Sequence, residues 1–172
     1  MTGRARAAAG SLAFLVVAPG VVAGLVPWLL TGWDANEAAR AAVVVGWLLI
    51  GSGTAVLLSA FARFVLEGLG TPAPVAPTER LVVGGLYRYV RNPMYLAVAA
   101  VIVGQALVLG RPVLFAYAAL FGVVVWAAVA VFVRFYEEPT LARRFGADYD
   151  AYRRAVPGWW PRLRPWRPAA RD

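Results

Sequence analysis

The stretch "NPMYLAVAAVIVGQALVLGRPVLFAYAALFGVVVWAAVAVFV", residues 92–133, contains one charged residue, Arg111. Arg111 divides it into uncharged runs of 19 and 22 residues. A helix rises about 1.5 Å per residue and needs roughly 20 apolar residues to cross a hydrocarbon core. The "GRP" between the runs is so short that the two helices must be antiparallel, and Pro112 suits a first helical turn. We therefore predict a hairpin of transmembrane helices at about 93–109 and 112–135.

Two further uncharged runs precede this hairpin. There are 27 uncharged residues between Arg6 and Asp34, and 22 between Arg40 and Arg63. None of the runs shows the polar face at helical spacing that a helix of a soluble bundle needs. With 61% hydrophobic residues, the chain is also richer in apolar residues than an ordinary soluble domain. The sequence thus predicts an all-α integral membrane protein, a single domain over 1–172, with the two additional membrane helices at about 10–31 and 40–66.

Arginine placement predicts the orientation of these four helices. All seventeen basic residues are arginine, and fifteen fall before the first helix, between the second and third, or after the fourth. Only Arg40 and Arg111 lie on the opposite side, so the positive-inside rule predicts that both termini are cytoplasmic. The net charge of +8 is explained by topology and anionic lipid headgroups, and we expect no nucleic acid partner. Because cysteine and histidine are absent, we expect no disulfide, no metal site and no imidazole base.

Two polar segments, 67–92 and 136–166, are predicted on the cytosolic side, where the hairpin brings them together. The second contains a predicted amphipathic helix, in which Leu141, Phe145, Tyr149 and Tyr152 recur at helical spacing. It is followed by "WWPRLRPW", whose tryptophans and arginines are typical of the membrane–water interface.

Hydrogen-bonding side chains concentrate in these two segments. The first supplies Tyr87, Arg88, Arg91, Asn92 and Tyr95, and the second supplies Arg134, Glu137 and Glu138. Pro93 favours a helix start directly after Asn92, at the positive end of the helix dipole. Arg134 and Glu138 are four residues apart, which predicts a shared helix face. The paired glutamates indicate either a cation or ribose hydroxyls as ligand, or simple ion pairs with Arg134 and with Arg88 or Arg91. Spacing alone does not decide between these readings.

The motifs "GLYRYVRNPMYL" and "EEPTLARRFGADYDAYRRAVPGWWP", separated by an uncharged hairpin, resemble the isoprenylcysteine carboxyl methyltransferase / phospholipid methyltransferase family of integral membrane enzymes. The family pattern is Gly-x-Tyr, Arg-His-Pro-x-Tyr, a hairpin, Glu-Glu-x-x-Leu, Phe-Gly-x-x-Tyr-x-x-Tyr and Val-Pro. The resemblance covers residues 79–161, about half of the chain. It departs from the pattern at Asn92, where histidine is usual, and at Ala97, where glycine often stands. Since Asn92 cannot titrate near neutrality, it cannot supply a base at this position.

This resemblance implies an S-adenosylmethionine-dependent methyltransferase whose cofactor pocket is open to the cytosol. It implies cofactor contacts along both segments: Glu79, Arg80, Leu81, Val82, Tyr87, Arg91, Asn92, Pro93, Met94, Tyr95 and Glu137. Arg134 is the nearest equivalent of a substrate-binding arginine in the prenylcysteine branch. Glu138 is our candidate base for an acceptor that must lose a proton.

The acceptor is expected to be a lipophilic molecule or a lipid-linked group that enters from the membrane. A carboxylate, a phenol and an amine all remain open, as does the oligomeric state. The alternatives are an NADPH-dependent membrane enzyme of the sterol-reductase type and a non-catalytic membrane scaffold. The 2′-phosphate of NADPH would require more clustered arginines than the predicted pocket offers.

Overall fold

The computed structural model describes residues 3–68 and 80–167, and all regular structure in these ranges is helical. The first helical run comprises α1 (Gly3–Leu15), a π-helical stretch (Val16–Leu25) and α2 (Val26–Thr31), and the second comprises α3 (Arg40–Arg63) with a π turn (Phe64–Gly68). A 3₁₀ turn (Gly85–Arg88) precedes α4 (Pro93–Leu109). The last run is α5 (Pro112–Leu120), a π turn (Phe121–Val125), α6 (Trp126–Phe132), a π turn (Val133–Glu137) and α7 (Glu138–Ala155).

Three helical runs in the described part of the chain are long and apolar enough to cross a membrane: Ala8–Thr31, Arg40–Glu67 and Pro112–Ala155. The helix Pro93–Leu109 is equally apolar but has only 17 residues, or about 26 Å. The prediction of four crossings is therefore met for three helices, and the fourth crossing stays a prediction. Pro112–Ala155 has 44 residues, about twice the length that a bilayer requires. Its uncharged part ends before Arg134, so we predict that the later residues lie beyond the spanning segment.

Pro27 lies in the first helical run and is accommodated by two side chains from other helices. Proline has no N–H, so the carbonyl four or five residues earlier loses its helical partner. These carbonyls belong to Ala23 and Val22, and they accept hydrogen bonds from Gln105 Nε2 (2.6 Å) and the Tyr117 hydroxyl (2.8 Å). Neighbouring helices thus satisfy the freed backbone groups, as a lipid environment demands.

α3 and α4 pack through glycines. A Cβ atom on Gly46 would lie 2.7 Å from the Gly104 carbonyl oxygen, and one on Gly53 would lie 2.8 Å from the Ala97 carbonyl oxygen. The two backbones approach this closely because no side chain separates them, which is the usual packing of small residues in membrane helices.

The turns opposite the polar segments also meet. Gly110, with φ 59°, ends α4 in the left-handed conformation, and the Asn36 N–H donates to the Leu109 carbonyl at 2.8 Å. Arg111 Nη1 donates to Asn36 Oδ1 at 3.2 Å. The loop 32–39 and the α4–α5 turn therefore lie on one side of the molecule. The prediction of a tight antiparallel hairpin is consistent with this arrangement.

After α7 the chain folds back as a strap, residues 156–167. Tyr149, Tyr152 and Val156 are buried together, with Leu141 and Phe145 packed against them. Gly146, with φ 53° and ψ −128°, interrupts the helical backbone between these contacts. That α7 is a cytosolic amphipathic helix stays a prediction.

Candidate functional site

A cavity of about 470 Å³ lies where the two polar segments meet the apolar helices. Polar side chains from both segments line one part of it, and these are Tyr87, Arg91, Asn92, Tyr95, Glu137, Glu138, Thr140, Tyr149 and Tyr152. Apolar side chains from the three long helical runs and α4 line the other part, among them Phe14, Pro19, Val22, Leu57, Phe61, Val98, Phe121, Val129 and Phe132. Cavities of this size and mixed lining are typical of small-molecule sites.

Most of the residues predicted from the sequence line this cavity. They are Leu81, Val82, Tyr87, Arg91, Asn92, Pro93, Met94, Tyr95, Glu137 and Glu138. Arg80 and Arg134 are exposed and are not among the lining residues. Glu79 lies outside the described residues. The roles assigned to Arg80, Arg134 and Glu79 stay predictions.

Arg91 and Glu138 form a buried ion pair at the polar part of the cavity. Arg91 Nη1 lies 2.5 Å from Glu138 Oε1 and donates to the Tyr149 hydroxyl at 3.3 Å, while Nε donates to the Val156 carbonyl at 2.9 Å. Arg153 Nη2 lies 3.2 Å from the second oxygen of Glu138. Of the ion pairs left open for the two glutamates, the one between Glu138 and Arg91 is formed, whereas no ion pair joins Glu138 to Arg134 in the part of the chain that the structure describes. Because Arg91 joins Glu138 to Tyr149 and to the Val156 carbonyl, this geometry argues for a structural role of Glu138.

Glu137 has a different environment from its neighbour. It lines the cavity, is partly buried, and has no ion pair among the described residues. Burial raises the pKa of Glu137 to about 7, with a further increase from the Glu138 charge and an opposing effect of Arg91. This carboxyl group therefore changes its charge near neutral pH, and it is better suited than Glu138 to bind a ligand or accept a proton.

The charge of Glu137 acts on Tyr87 and Tyr95, which also line the cavity. Burial is the main cause that raises the pKa of Tyr87, and the Glu137 charge adds to it. The Tyr152 hydroxyl donates to the Tyr87 carbonyl at 2.7 Å, which joins α7 to the 3₁₀ turn. A tyrosine hydroxyl is protonated at neutral pH in any case, so Tyr87, which lines the cavity, can offer it a hydrogen-bond donor.

Asn92 is buried and committed to the strap. Its backbone N–H and its Nδ2 both donate to the Gly158 carbonyl, at 3.2 and 3.1 Å. The amide has no proton to exchange near neutrality. Base chemistry at this position is accordingly not supported.

A second polar contact holds the 3₁₀ turn that contains Tyr87. Arg63 Nη1 contacts Glu67 Oε1, and Glu67 Oε2 accepts the Gly84 N–H at 3.1 Å. Gly85, with φ 55°, then turns the chain into the 3₁₀ helix that contains Tyr87. Our sequence reasoning missed this contact, although the i, i+4 spacing of Arg63 and Glu67 at the end of the second helix was a usable signal.

We expect Glu67→Ala to increase the local opening of the 3₁₀ turn that contains Tyr87. Losing a charge-assisted but partly exposed hydrogen bond should cost about 1 kcal/mol, or roughly fivefold faster amide exchange at the Gly84–Arg88 turn. Hydrogen–deuterium exchange of peptides covering 81–90 measures this, with Glu37→Ala in the opposite loop as the control. Unchanged exchange in Glu67→Ala would show that the contact does not hold the turn.

The sequence reasoning also missed lining residues from two other places. Tyr149 and Tyr152 were assigned to an apolar stripe, and the first helix was given no part in the site. The recurrence of both tyrosines within a motif was the available signal for α7. The contribution of Phe14, Pro19 and Val22 had no such signal, because apolar residues in a membrane helix look alike whether they face lipid or a cavity.

Comparison with known families gives one match. The sequence model of the phospholipid methyltransferase family matches residues 41–148, which is more than half of the chain. No curated protein and no solved structure matches it. The matched range contains α3, the hairpin and the start of α7, and with them most of the residues that line the cavity.

Proposed function

Because this chain belongs to the phospholipid methyltransferase family of membrane methyltransferases, we propose that it transfers a methyl group from S-adenosylmethionine to a lipophilic acceptor at the cytosolic membrane face. The observation that carries the proposal is a single cavity lined by Tyr87 and Asn92 from one segment and by Glu137 from the other. The resemblance to this family noted from the motifs is confirmed by the family match.

The residues around the polar part of the cavity fit this cofactor. It supplies an electrophilic methyl group on a sulfonium ion, and it carries ribose hydroxyls, a carboxylate and an ammonium group. Glu137 offers a carboxylate acceptor for hydroxyls or a cation, and Tyr87 and Tyr95 offer hydroxyl groups. The first turn of α4, from Pro93, offers free backbone N–H groups to a carboxylate.

The apolar part of the cavity fits the acceptor. Methyl transfer to a nucleophile is an in-line displacement, so alignment is the main requirement, and it can supply roughly 7–11 kcal/mol. Apolar side chains from four helical runs would hold a hydrocarbon chain and keep water out. A lipid-derived acceptor would then enter from the membrane, and the cofactor from water.

The charges in the cavity favour an amine or phenol over a carboxylate as acceptor. Among the described residues that line the cavity, Arg91 is the cation, and it already contacts Glu138, Tyr149 and the Val156 carbonyl. An acceptor carboxylate would meet Glu137, and it would depend on the sulfonium of the cofactor alone to offset the repulsion, because Arg91 is already paired. An amine or phenol would instead find in Glu137 a group that can take its proton. Because Arg91 is already paired, the cavity is also a poor site for NADPH, whose 2′-phosphate would need a free cation.

We expect S-adenosylhomocysteine to bind about tenfold more tightly at pH 8 than at pH 6. With a pKa of about 7, the Glu137 carboxyl group is mostly neutral at pH 6, and only its ionised form is expected to bind. Isothermal titration calorimetry in detergent measures this, with NADPH as the comparison ligand. Glu137→Gln should bind weakly at both pH values and lose the pH dependence. Binding of NADPH alone, or of neither ligand, would overturn the proposal.

Glu137→Gln should weaken ligand binding but increase the stability of the ligand-free protein. The folded protein raises the pKa of Glu137 above its unfolded value, so folding favours the protonated form. The resulting stability is present below the unfolded pKa and is lost as pH rises through the folded pKa. Ligand-free Glu137→Gln should therefore melt at a higher temperature than the parent protein at pH 8. A merely structural role for Glu137 predicts a lower melting temperature.

A further inference from the structure

The strap 156–167 is fixed to the start of α4 by backbone hydrogen bonds. The N–H groups of Arg91 and Asn92 donate to the carbonyls of Pro157 and Gly158, at 2.9 and 3.2 Å. Further along, Arg162 N–H donates to Tyr89 and Trp166 N–H donates to Arg88, at 3.0 and 2.9 Å. Arg88 Nε also donates to the Trp166 carbonyl at 2.7 Å. The strap is therefore a positioned element, and its side chains project in fixed directions.

One turn of the strap is level with the apolar part of the membrane helices. The Trp159 ring lies 4.7 Å from that of Trp126 and 6.1 Å from that of Tyr95, measured between ring centroids. Trp126 precedes Arg134 by eight residues, or about 12 Å of helix, within the uncharged spanning segment. A residue whose ring packs against Trp126 at a tilt of 50° is thus held at a depth that hydrocarbon or the glycerol region of the bilayer occupies.

Two apolar residues that follow Trp159 are unusually exposed. Trp160 is 82% exposed and Leu163 is 99% exposed, although the backbone around both is held in place. Arg164 and Arg167, which are also exposed, come directly after them in the strap. Apolar side chains beside arginines are the composition of segments that lie in the membrane interface, where the apolar groups insert and the guanidinium groups meet phosphate.

We propose that residues 156–167 form a docking element for the bilayer surface, with Trp160 and Leu163 inserted below the headgroups and Arg164 and Arg167 on lipid phosphates. The occupant is the lipid of the surrounding membrane, since the basic flanks complement anionic headgroups. A second copy of this chain would bring the same arginines together and repel. The docked strap holds the backbone of Arg91 and Asn92, so the lipid surface would position one wall of the cavity.

A single fluorescent label tests this placement, because the chain contains no cysteine. Leu163→Cys is labelled with an environment-sensitive dye and reconstituted in nanodiscs of phosphatidylcholine and phosphatidylglycerol. The label should emit at shorter wavelength than in water, lose most of its fluorescence to nitroxide-bearing lipids, and resist quenching by iodide. Ala147→Cys, exposed within the charged stretch 143–150, is the matched control and should show the reverse pattern.

Two results would overturn the proposal. One is a label at 163 that iodide quenches as strongly as the label at 147, with no effect of nitroxide lipids. The other is protection at 163 that disappears when nanodiscs contain a single copy, which would assign the surface to a second copy of the chain. Neither readout involves S-adenosylmethionine, so the outcome is independent of the proposed methyl transfer.

Discussion

Replacing Arg91 by methionine is expected to cost about 3–5 kcal/mol of folding free energy, because it leaves the buried Glu138 carboxylate without its main partner. Arg91 also donates to Tyr149 and to the Val156 carbonyl, so its loss releases the strap and α7 together. We expect no measurable binding of S-adenosylhomocysteine to this variant. Arg91→Lys should rescue it poorly, since one ammonium group cannot reach both Glu138 and Val156 in the geometry of a guanidinium fork.

Arg153→Met is the matched control, because Arg153 contacts the same carboxylate from a more exposed position. An exposed partner contributes little, about 0–1 kcal/mol. Thermal melting of the detergent-solubilised variants gives the ranking directly. Equal destabilisation by Arg91→Met and Arg153→Met would contradict the view that the buried pair organises the site.

The double variant Arg91→Met/Glu138→Met separates a structural role of Glu138 from a catalytic one. Removing both charges should recover much of the stability that either single substitution loses, because no uncompensated charge stays buried. If Glu138 were the base, Glu138→Gln would instead abolish turnover while leaving the melting temperature and cofactor affinity unchanged. We expect Glu138→Gln to lower both.

The neighbouring residues Glu137 and Glu138 illustrate which parts of the site could be predicted from the sequence. The two glutamates stood out because acidic residues are rare beside membrane helices, and the motifs around them pointed to one family. Their different surroundings could not be predicted, since adjacent positions differ only in the direction that each side chain takes at the end of the π turn Val133–Glu137. Arg134 was expected on the face of Glu138 by α-helical spacing, yet it is exposed while Glu138 is buried.

The fold was more accessible than the site for a physical reason. Bilayer thickness sets the length of an uncharged run, so the positions of the apolar helices can be read directly along the chain. The cavity depends instead on how these helices rotate and pack, and on the pairing of the strap with residues 88–92. Such contacts join residues far apart in sequence. They leave no periodic signal in either segment.

Replacing Gly46 by leucine is expected to prevent α3 and α4 from associating. Even an alanine at position 46 would place its Cβ atom 2.7 Å from the Gly104 carbonyl oxygen and 2.7 Å from a Val108 methyl group. The carbonyl belongs to the backbone and cannot turn away, so the helices must separate. Gly46→Ala should cost at least the 1–3 kcal/mol that is typical of overpacking, at about 2–4 °C of melting temperature per kcal/mol.

Gly51→Ala provides the control on the same helix. A Cβ atom on Gly51 would meet nothing within 4 Å, and alanine favours a helix over glycine by about 1 kcal/mol. Gly51→Ala should therefore melt at or above the temperature of the parent protein, and Gly46→Ala well below it. Size-exclusion chromatography after heating distinguishes the two variants, and Gly46→Leu should yield only aggregate.

The same contact can be tested for its effect on the cavity, because Leu57 on α3 and Val98 on α4 both line it. A Gly46→Ala protein that folds but binds S-adenosylhomocysteine more weakly would show that the close backbone contact also sets the shape of the cavity. A Gly46→Ala protein as stable as Gly51→Ala would disprove the contact.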